Sequence, residues 1–248
     1  MNENILDLYK QFVIIKKKGY VKSQKKGATG IGYTFESLLG KEEDCFRIPD
    51  YNGIEIKTMR YLSKRKIHLF SAVPDGNTLF PIKRIVHLLG YPDKDYREYK
   101  VFNVNVDACN YKNVGNNRMK MYINYEKKRM DFLAHNIFGE NIEVDASWSF
   151  ELLEDYLITK LKYLAIVKAC KKIYKGEEYF FYNSISFYKL KSFDVFLKLI
   201  ENGIIIVNFH IGIRKDPANL GKIYDRGTNF VIDESNIEKL FDKISIAK

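Results

Sequence analysis

Cysteine is scarce in this chain: Cys45, Cys109 and Cys170 are the only three, widely separated and never in a Cys-x-x-Cys pair. That spacing excludes a disulfide framework and a cysteine-ligated zinc site. Histidine is nearly as sparse, with four residues in 248, and His68, His87 and His135 are isolated singletons at no metal-ligand spacing. No apolar run approaches membrane-spanning length, and the first ten residues have neither the basic head nor the apolar stretch of a signal peptide. The expectation is a cytoplasmic protein with no membrane partner. A nucleotide-binding loop is missing too, because the stretch Thr29 to Thr34 lacks the spacing and the lysine such loops need. No internal repeat is present.

What the chain does have is positive charge. Its 41 Lys and Arg against 31 Asp and Glu leave a formal +10, which attracts a polyanionic partner over long range. Double-stranded DNA fits; RNA or an anionic membrane surface would satisfy the same field, and an AT-rich genome writes the same lysine-rich bias. The 18 Tyr and 17 Phe fall mostly at core periodicities rather than forming a stacking platform. The length suffices for one domain or for two lobes around a cleft.

Hydrophobic spacing predicts a packing helix carrying Ile5, Leu8, Tyr9, Phe12 and Val13, closed by Gly19. A second, short helix carries Phe35, Leu38 and Leu39 as its apolar stripe and stops at Gly40. A strand follows at 54–57 and another at Ile67 to Phe70, with a basic stretch from Arg60 to Lys66 between them. Residues 91–118 give no clear signal. Trp148 to Lys162 reads as a helix capped by Ser149, followed by a hairpin with Gly176 in its connection. Ser192 to Asn202 reads as a helix closed by Gly203, and Ile204 to Arg214 as an alternating strand. Residues 228–233 return as a strand, with Asp233 capping a last short helix.

The chemistry gathers at Pro49-Asp50, then Glu55-Ile56-Lys57. Side chains alternate along a strand, so Glu55 and Lys57 share one face while Ile54 and Ile56 fill the other. Asp50, at the mouth of that strand, is placed to converge with Glu55 on one divalent cation; two hard oxygen ligands and several waters suit magnesium. Bound metal makes water a better nucleophile, and a neighbouring ammonium, Lys57, can orient that water. A third acid, Glu36, sits on the short helix upstream. Further on, Asn208, His210, Arg214, Tyr224, Asp225 and Arg226 lie on strands that could form a two-stranded ribbon, a shape that enters the major groove and reads base edges. Alternating polar residues are also what any exposed strand shows. Lys25, Lys26 and Arg60 are further candidates for phosphate contacts.

The run from Gly27 to Thr58, GATGIGYTFESLLGKEEDCFRIPDYNGIEIKT, resembles the MvaI and BcnI group of restriction endonucleases, relatives of the mismatch-repair nickase MutH. The match carries the helix entrance, the helix acid, the Pro-Asp pair and the Glu-Ile-Lys-Thr strand without insertion. It continues at Trp148 to Phe150, Lys160 to Tyr163, Tyr182 to Ser184, Glu201 to Gly203 and Tyr224 to Thr228. Glu55 sides with the MvaI type, where BcnI-like enzymes have histidine.

The resemblance implies a mixed α+β fold with a PD-(D/E)XK nuclease core and a second DNA-recognition lobe, the DNA lying in a cleft between them; residues 1–146 are expected to form the catalytic lobe and 147–248 the recognition lobe. It implies a type II restriction endonuclease, a monomer that hydrolyses both strands of a short duplex site in successive visits, with Glu36, Asp50, Glu55 and Lys57 as the catalytic set. Asp50 and Glu55 would hold Mg2+, with Mn2+ substituting and Ca2+ binding without cleavage. A cognate DNA methyltransferase is expected in the same cell. The target is expected to be CCNGG-like, although Asn208, His210, Tyr224 and Arg226 depart from the group's reading residues and leave the site open. The alternatives are a MutH-like nickase that needs an activating partner, and a DNA-binding protein with a spent active site.

Overall fold

A computed structural model describes residues 2–40, 48–62, 66–75 and 79–246. Cys45 and the middle of the basic stretch after Arg60 lie outside the described residues. The elements, in chain order, begin with α1 (Glu3–Lys17), β1 (Val21–Lys22), α2 (Gly30–Leu38), β2 (Ile54–Arg60), β3 (Lys66–Ser71) and α3 (Leu79–Leu89). Then come β4 (Tyr91–Pro92), β5 (Lys100–Val106), β6 (Lys112–Val114), β7 (Asn117–Asn124), β8 (Arg129–Asn136), β9 (Ser147–Ser149) and α4 (Phe150–Leu161). The chain ends with β10 (Tyr163–Tyr174), β11 (Glu177–Leu190), α5 (Phe193–Glu201), β12 (Ile205–Ile213), β13 (Ile223–Asp233), α6 (Ile237–Leu240) and β14 (Phe241–Ile244). This is a mixed α+β fold.

The chain divides into two compact units, one of residues 1–65, 157–191 and 240–248, the other of residues 66–156 and 192–239. The sequence led us to expect a single cut near residue 146; the units are instead interleaved. The reason lies in one pairing. β2 runs parallel to β10, from Tyr163 beside Ile54 to Ala169 beside Arg60, and parallel neighbours need a long crossover. Here the crossover carries residues 66–156, most of the second unit.

In the first unit the sheet has the order β1-β11-β10-β2, with β14 also on β11. Ile5, Leu8, Phe12 and Ile15 of α1 recur every three or four residues and are buried. They share one core with Ile31 and Phe35 of α2, Ile54 and Ile56 of β2, and Phe180 and Tyr182 of β11. β10 and β11 meet across Lys175-Gly176, both at positive φ (49° and 76°), the backbone that a two-residue hairpin loop requires.

The second unit holds two antiparallel sheets, β3-β13-β12-β5-β4 and β6-β7-β8-β9. Phe102, Phe209 and Phe230 are fully buried there with Trp148, whose indole donates to the Ala72 carbonyl at 2.9 Å. Trp148 belongs to β9 rather than to the helix expected there, while Ser149 caps α4 through the Leu152 amide. α5 begins and ends close to where the sequence places it, and Ser192 caps it by accepting from the Val195 amide. Asp233 makes no side-chain cap.

Candidate active site

The catalytic candidates of the first unit are organised by a tight turn. Asn52 and Gly53 both have positive φ (42° and 83°), and Tyr51 and Ile54 exchange both backbone hydrogen bonds, at 2.9 and 2.8 Å. Asn-Gly is the pair that best tolerates this geometry. The turn sends the chain back along β2, so that Asp50 stands across from Glu55, where cross-strand side chains share a face. Asp50 Oδ2 then accepts the Ile56 amide at 2.9 Å, a donor that β2, as an edge strand, leaves open on that side. α1 braces the turn: Asn4 donates to the Asn52 carbonyl at 2.8 Å and the Tyr51 hydroxyl to Asp7 at 2.6 Å. Burial and the Asp7 carboxylate push the Tyr51 hydroxyl up to about 12, so it stays a donor.

Glu55 is buried, with 2% of its side chain exposed. Lys57 Nζ donates to its Oε1 at 2.6 Å, and Lys160, near the end of α4, sits 3.6 Å from the same oxygen. Oε2 is buried and has no hydrogen-bond partner. Burial pushes the Glu55 carboxyl above its ordinary range; Lys57 pulls it back, Asp50 pushes it further up, and Lys160 again lowers it. A buried carboxylate that repels its neighbour and leaves one oxygen unsatisfied is arranged for a cation.

Sequence reasoning did not assign Lys160 a role. The parallel register sets Leu164 beside Glu55 and so brings the preceding end of α4 to the carboxylate. The run Lys160 to Tyr163 was the available signal.

Glu36 lies on α2, on the other side of β2. Gly32 lets the helix approach closely, since a Cβ there would come within 3.2 Å of Thr58 Oγ1 and 3.6 Å of Glu36 Oε1. The Glu36 carboxylate thus folds back over its own helix, beside Thr58. Among the described residues no group of three or more His, Cys, Asp and Glu gathers as a metal site; Asp50 and Glu55 are a pair of carboxylates facing each other across the turn. Lys25 lies over the Tyr33 ring at 5.0 Å, Lys26 is exposed, and Arg60 is half-buried at the far end of β2. Five residues of strand, about 16 Å, separate Arg60 from Glu55.

In the second unit, β12 and β13 are not a free ribbon. β5 flanks β12 and β3 flanks β13, and only the end beyond Ile211 and Asp225 is paired solely with itself. Asn208 and His210 alternate on the solvent side of β12. Arg214 stacks over the Tyr224 ring at 3.8 Å, and the Arg226 guanidinium lies over Gly212, 3.4 Å from where a Cβ would stand. Asp225 is committed locally, accepting from the Gly227 amide at 2.8 Å and the Thr228 hydroxyl at 3.1 Å.

The model of the MvaI/BcnI restriction endonuclease family matches residues 9–241. Among solved structures, a complex of the restriction endonuclease MvaI with its cognate DNA substrate is similar with a TM-score of 0.87 and 29% identity, over 98% of each chain. MvaI without DNA is similar with a TM-score of 0.65 and 28% identity, over 100% of this chain and 99% of that one. A comparison with curated proteins finds no match.

Proposed function

This chain belongs to the MvaI/BcnI restriction endonuclease family and is a site-specific DNA endonuclease; we propose that it works as a magnesium-dependent type II enzyme that hydrolyses both strands of a short duplex site. The observation that carries the metal is the buried, unpartnered Oε2 of Glu55 beside Asp50. Asp50 and Glu55 would hold the cation, in the manner of a PD-(D/E)XK site, and the remaining coordination would be water. Mg2+ bound there supplies charge stabilisation at the phosphate and a more acidic water. Mn2+ would substitute, and Ca2+ would bind without cutting.

The chain's own groups do the rest. Lys57 is fixed at 2.6 Å from Glu55, so its ammonium has one defined position from which to orient the attacking water and offset charge building on the phosphate. The Asn52-Gly53 turn holds Asp50 opposite Glu55 before substrate arrives, which spares reorganisation during the reaction. Lys160 shares Glu55 with Lys57 and keeps the buried carboxylate compensated. Glu36 supports β2 from behind, through the contact of α2 with Thr58. Lys25, Lys26 and Arg60 serve phosphates along the duplex, and the exposed row on β12 with Arg226 reads base edges.

One such site per chain suits a monomer that cuts the strands in successive visits, at a CCNGG-like or related target, with a cognate methyltransferase protecting the host. Digestion of a plasmid of known sequence with Mg2+, and mapping of the cut ends, tests the reading. Double-strand breaks at one short sequence are expected, with none in EDTA. Nicks confined to one strand would replace it with a MutH-like nickase, and no cutting with any divalent metal would refute it.

A further inference from the structure

One row of side chains crosses four strands of the second unit's larger sheet. Asn208 of β12 is in register with Asn105 of β5 on one side and with Asn229 of β13 on the other, and Asn229 faces Ser71 of β3. The neighbouring rung pairs His210 with Asn103. Asn103, Asn105, His210 and Ser71 are exposed, whereas the opposite face of the same strands carries the buried Val106, Val207, Phe209 and Phe230. Asparagine is depleted in strands, and nothing in the packing of this face calls for it. Three strand spacings make the row about 14 Å long, close to the ~12 Å width of a major groove.

The amides are already coupled. Asn208 Nδ2 donates to Asn105 Oδ1, while Asn229 Oδ1 accepts from Ser71 Oγ at 2.7 Å and lies 2.8 Å from His68 Nε2. The Asn105–Asn208 bond uses one donor and one acceptor. Beyond that bond each amide keeps both kinds of group, Asn208 its Oδ1 and a second Nδ2 hydrogen, Asn105 both Nδ2 hydrogens and a second lone pair on Oδ1, so the pair still presents an acceptor together with a donor. Turning both amides over exchanges the two roles and leaves the same combination.

We propose that Asn105 and Asn208 together read one adenine in the major groove, the pair accepting from its N6 amino group and donating to its N7. The proposal rests on the endonuclease reading above and deepens it by naming a base. Adenine alone offers a donor and an acceptor there on one base. Guanine presents N7 and O6, two acceptors, and leaves the amide oxygens without a donor, whereas an asparagine edge of one donor and one acceptor matches adenine. Cytosine offers only its N4 donor, and thymine only its O4 acceptor beside a methyl group. The recognition sequence therefore contains at least one A·T pair whose adenine faces Asn105.

The test begins by mapping the wild-type target through Mg2+-dependent plasmid cleavage. Binding to that duplex is then measured in Ca2+ at fixed salt, with 7-deazaadenine, which lacks the N7 acceptor, replacing each adenine in turn. One replacement should weaken wild-type binding by about tenfold. Asn105→Ala should bind the unmodified site more weakly by a similar factor and lose sensitivity to that one replacement. Melting of the variant serves as the control for folding. A defined target without an A·T pair, wild-type indifference to every replacement, or undiminished sensitivity in Asn105→Ala would each overturn the amide reading while leaving the endonuclease intact. A wild-type protein with no defined target would overturn the endonuclease reading, and this one with it.

Discussion

A carboxylate with 2% of its side chain exposed, one oxygen between two lysines and the other without a partner, destabilises the fold that holds it. Burial raises the folded-state pKa of Glu55 above its unfolded value, so the folded protein binds that proton more tightly. The group's contribution is then most favourable below the ordinary carboxylate range and is lost as pH rises through the raised value. At neutral pH the ionised side chain is a liability without a cation. Glu55→Gln should accordingly melt at a higher temperature than wild type in EDTA at pH 7. Added Ca2+ should raise the melting temperature of wild type and leave the variant unmoved. Equal melting in EDTA would show that Lys57 and Lys160 already compensate the charge in full. The two lysines should also separate in cleavage assays under saturating Mg2+. Lys57→Ala should lose ~10²-fold or more in rate, because in the proposed mechanism its ammonium acts on the water and the phosphate themselves. Lys160→Ala should lose about tenfold, because it acts only through Glu55. A reversed order would exchange their roles.

The tight turn is the element that converts two acids five positions apart in the sequence into one pair. At Gly53, φ is 83°, a region where an L side chain costs about 1–2 kcal/mol and a β-branched one is a clear outlier. Gly53→Val should lower stability by roughly that amount in urea and slow cleavage by up to ~10²-fold, as expected when a catalytic group moves by about an ångström. Gly53→Asn should retain most of both, since asparagine tolerates this region. Wild-type stability and rate in Gly53→Val would mean that Asp50 is positioned by something else. The helices were legible through spacing of Ile5, Leu8 and Phe12 and through the closing Gly203 of α5, because those signals are local. Asn52-Gly53 carries the strongest short hairpin signal a sequence can hold, but it was not read as a turn from the sequence, where attention went to the acids on either side of it. Lys160 beside Glu55 was not legible, since it depends on the pairing of strands a hundred residues apart. The flanking of β12 by β5 was hidden for the same reason. Residues 100–106 do alternate between buried and exposed positions, yet no local feature says which strand they join.

Charge acts on the whole molecule. A formal +10 makes DNA affinity fall steeply with salt, each neutralised phosphate adding about 0.9 to the slope of log K against log salt. Affinity in Ca2+ that stayed flat between 50 and 200 mM salt, an interval over which ~10³-fold or more is lost for six or more contacts, would argue against a duplex partner. Connectivity is the second property at this scale, because the first unit is completed only after the chain has built most of the second. Among the described residues β2 has one sheet partner, β10, and β10 begins at Tyr163. Truncation at residue 146, where the sequence alone suggested a lobe boundary, removes β10, β11 and Lys160. It leaves Ile54 and Ile56 of β2 without the Ala165, Val167, Phe180 and Tyr182 that share their core. The fragment 1–146 should therefore give no cooperative melting of the nuclease unit, rapid proteolysis between residues 20 and 60, and no Ca2+-dependent stabilisation. A chain that joins residues 1–65 to 157–248 through a flexible linker keeps every strand of that sheet, together with α1 and α2. It should show more protection of β2 than the fragment does. Were the 1–146 fragment to fold and bind Ca2+ as the full chain does, the β2–β10 pairing would not be what holds Asp50 and Glu55 in place.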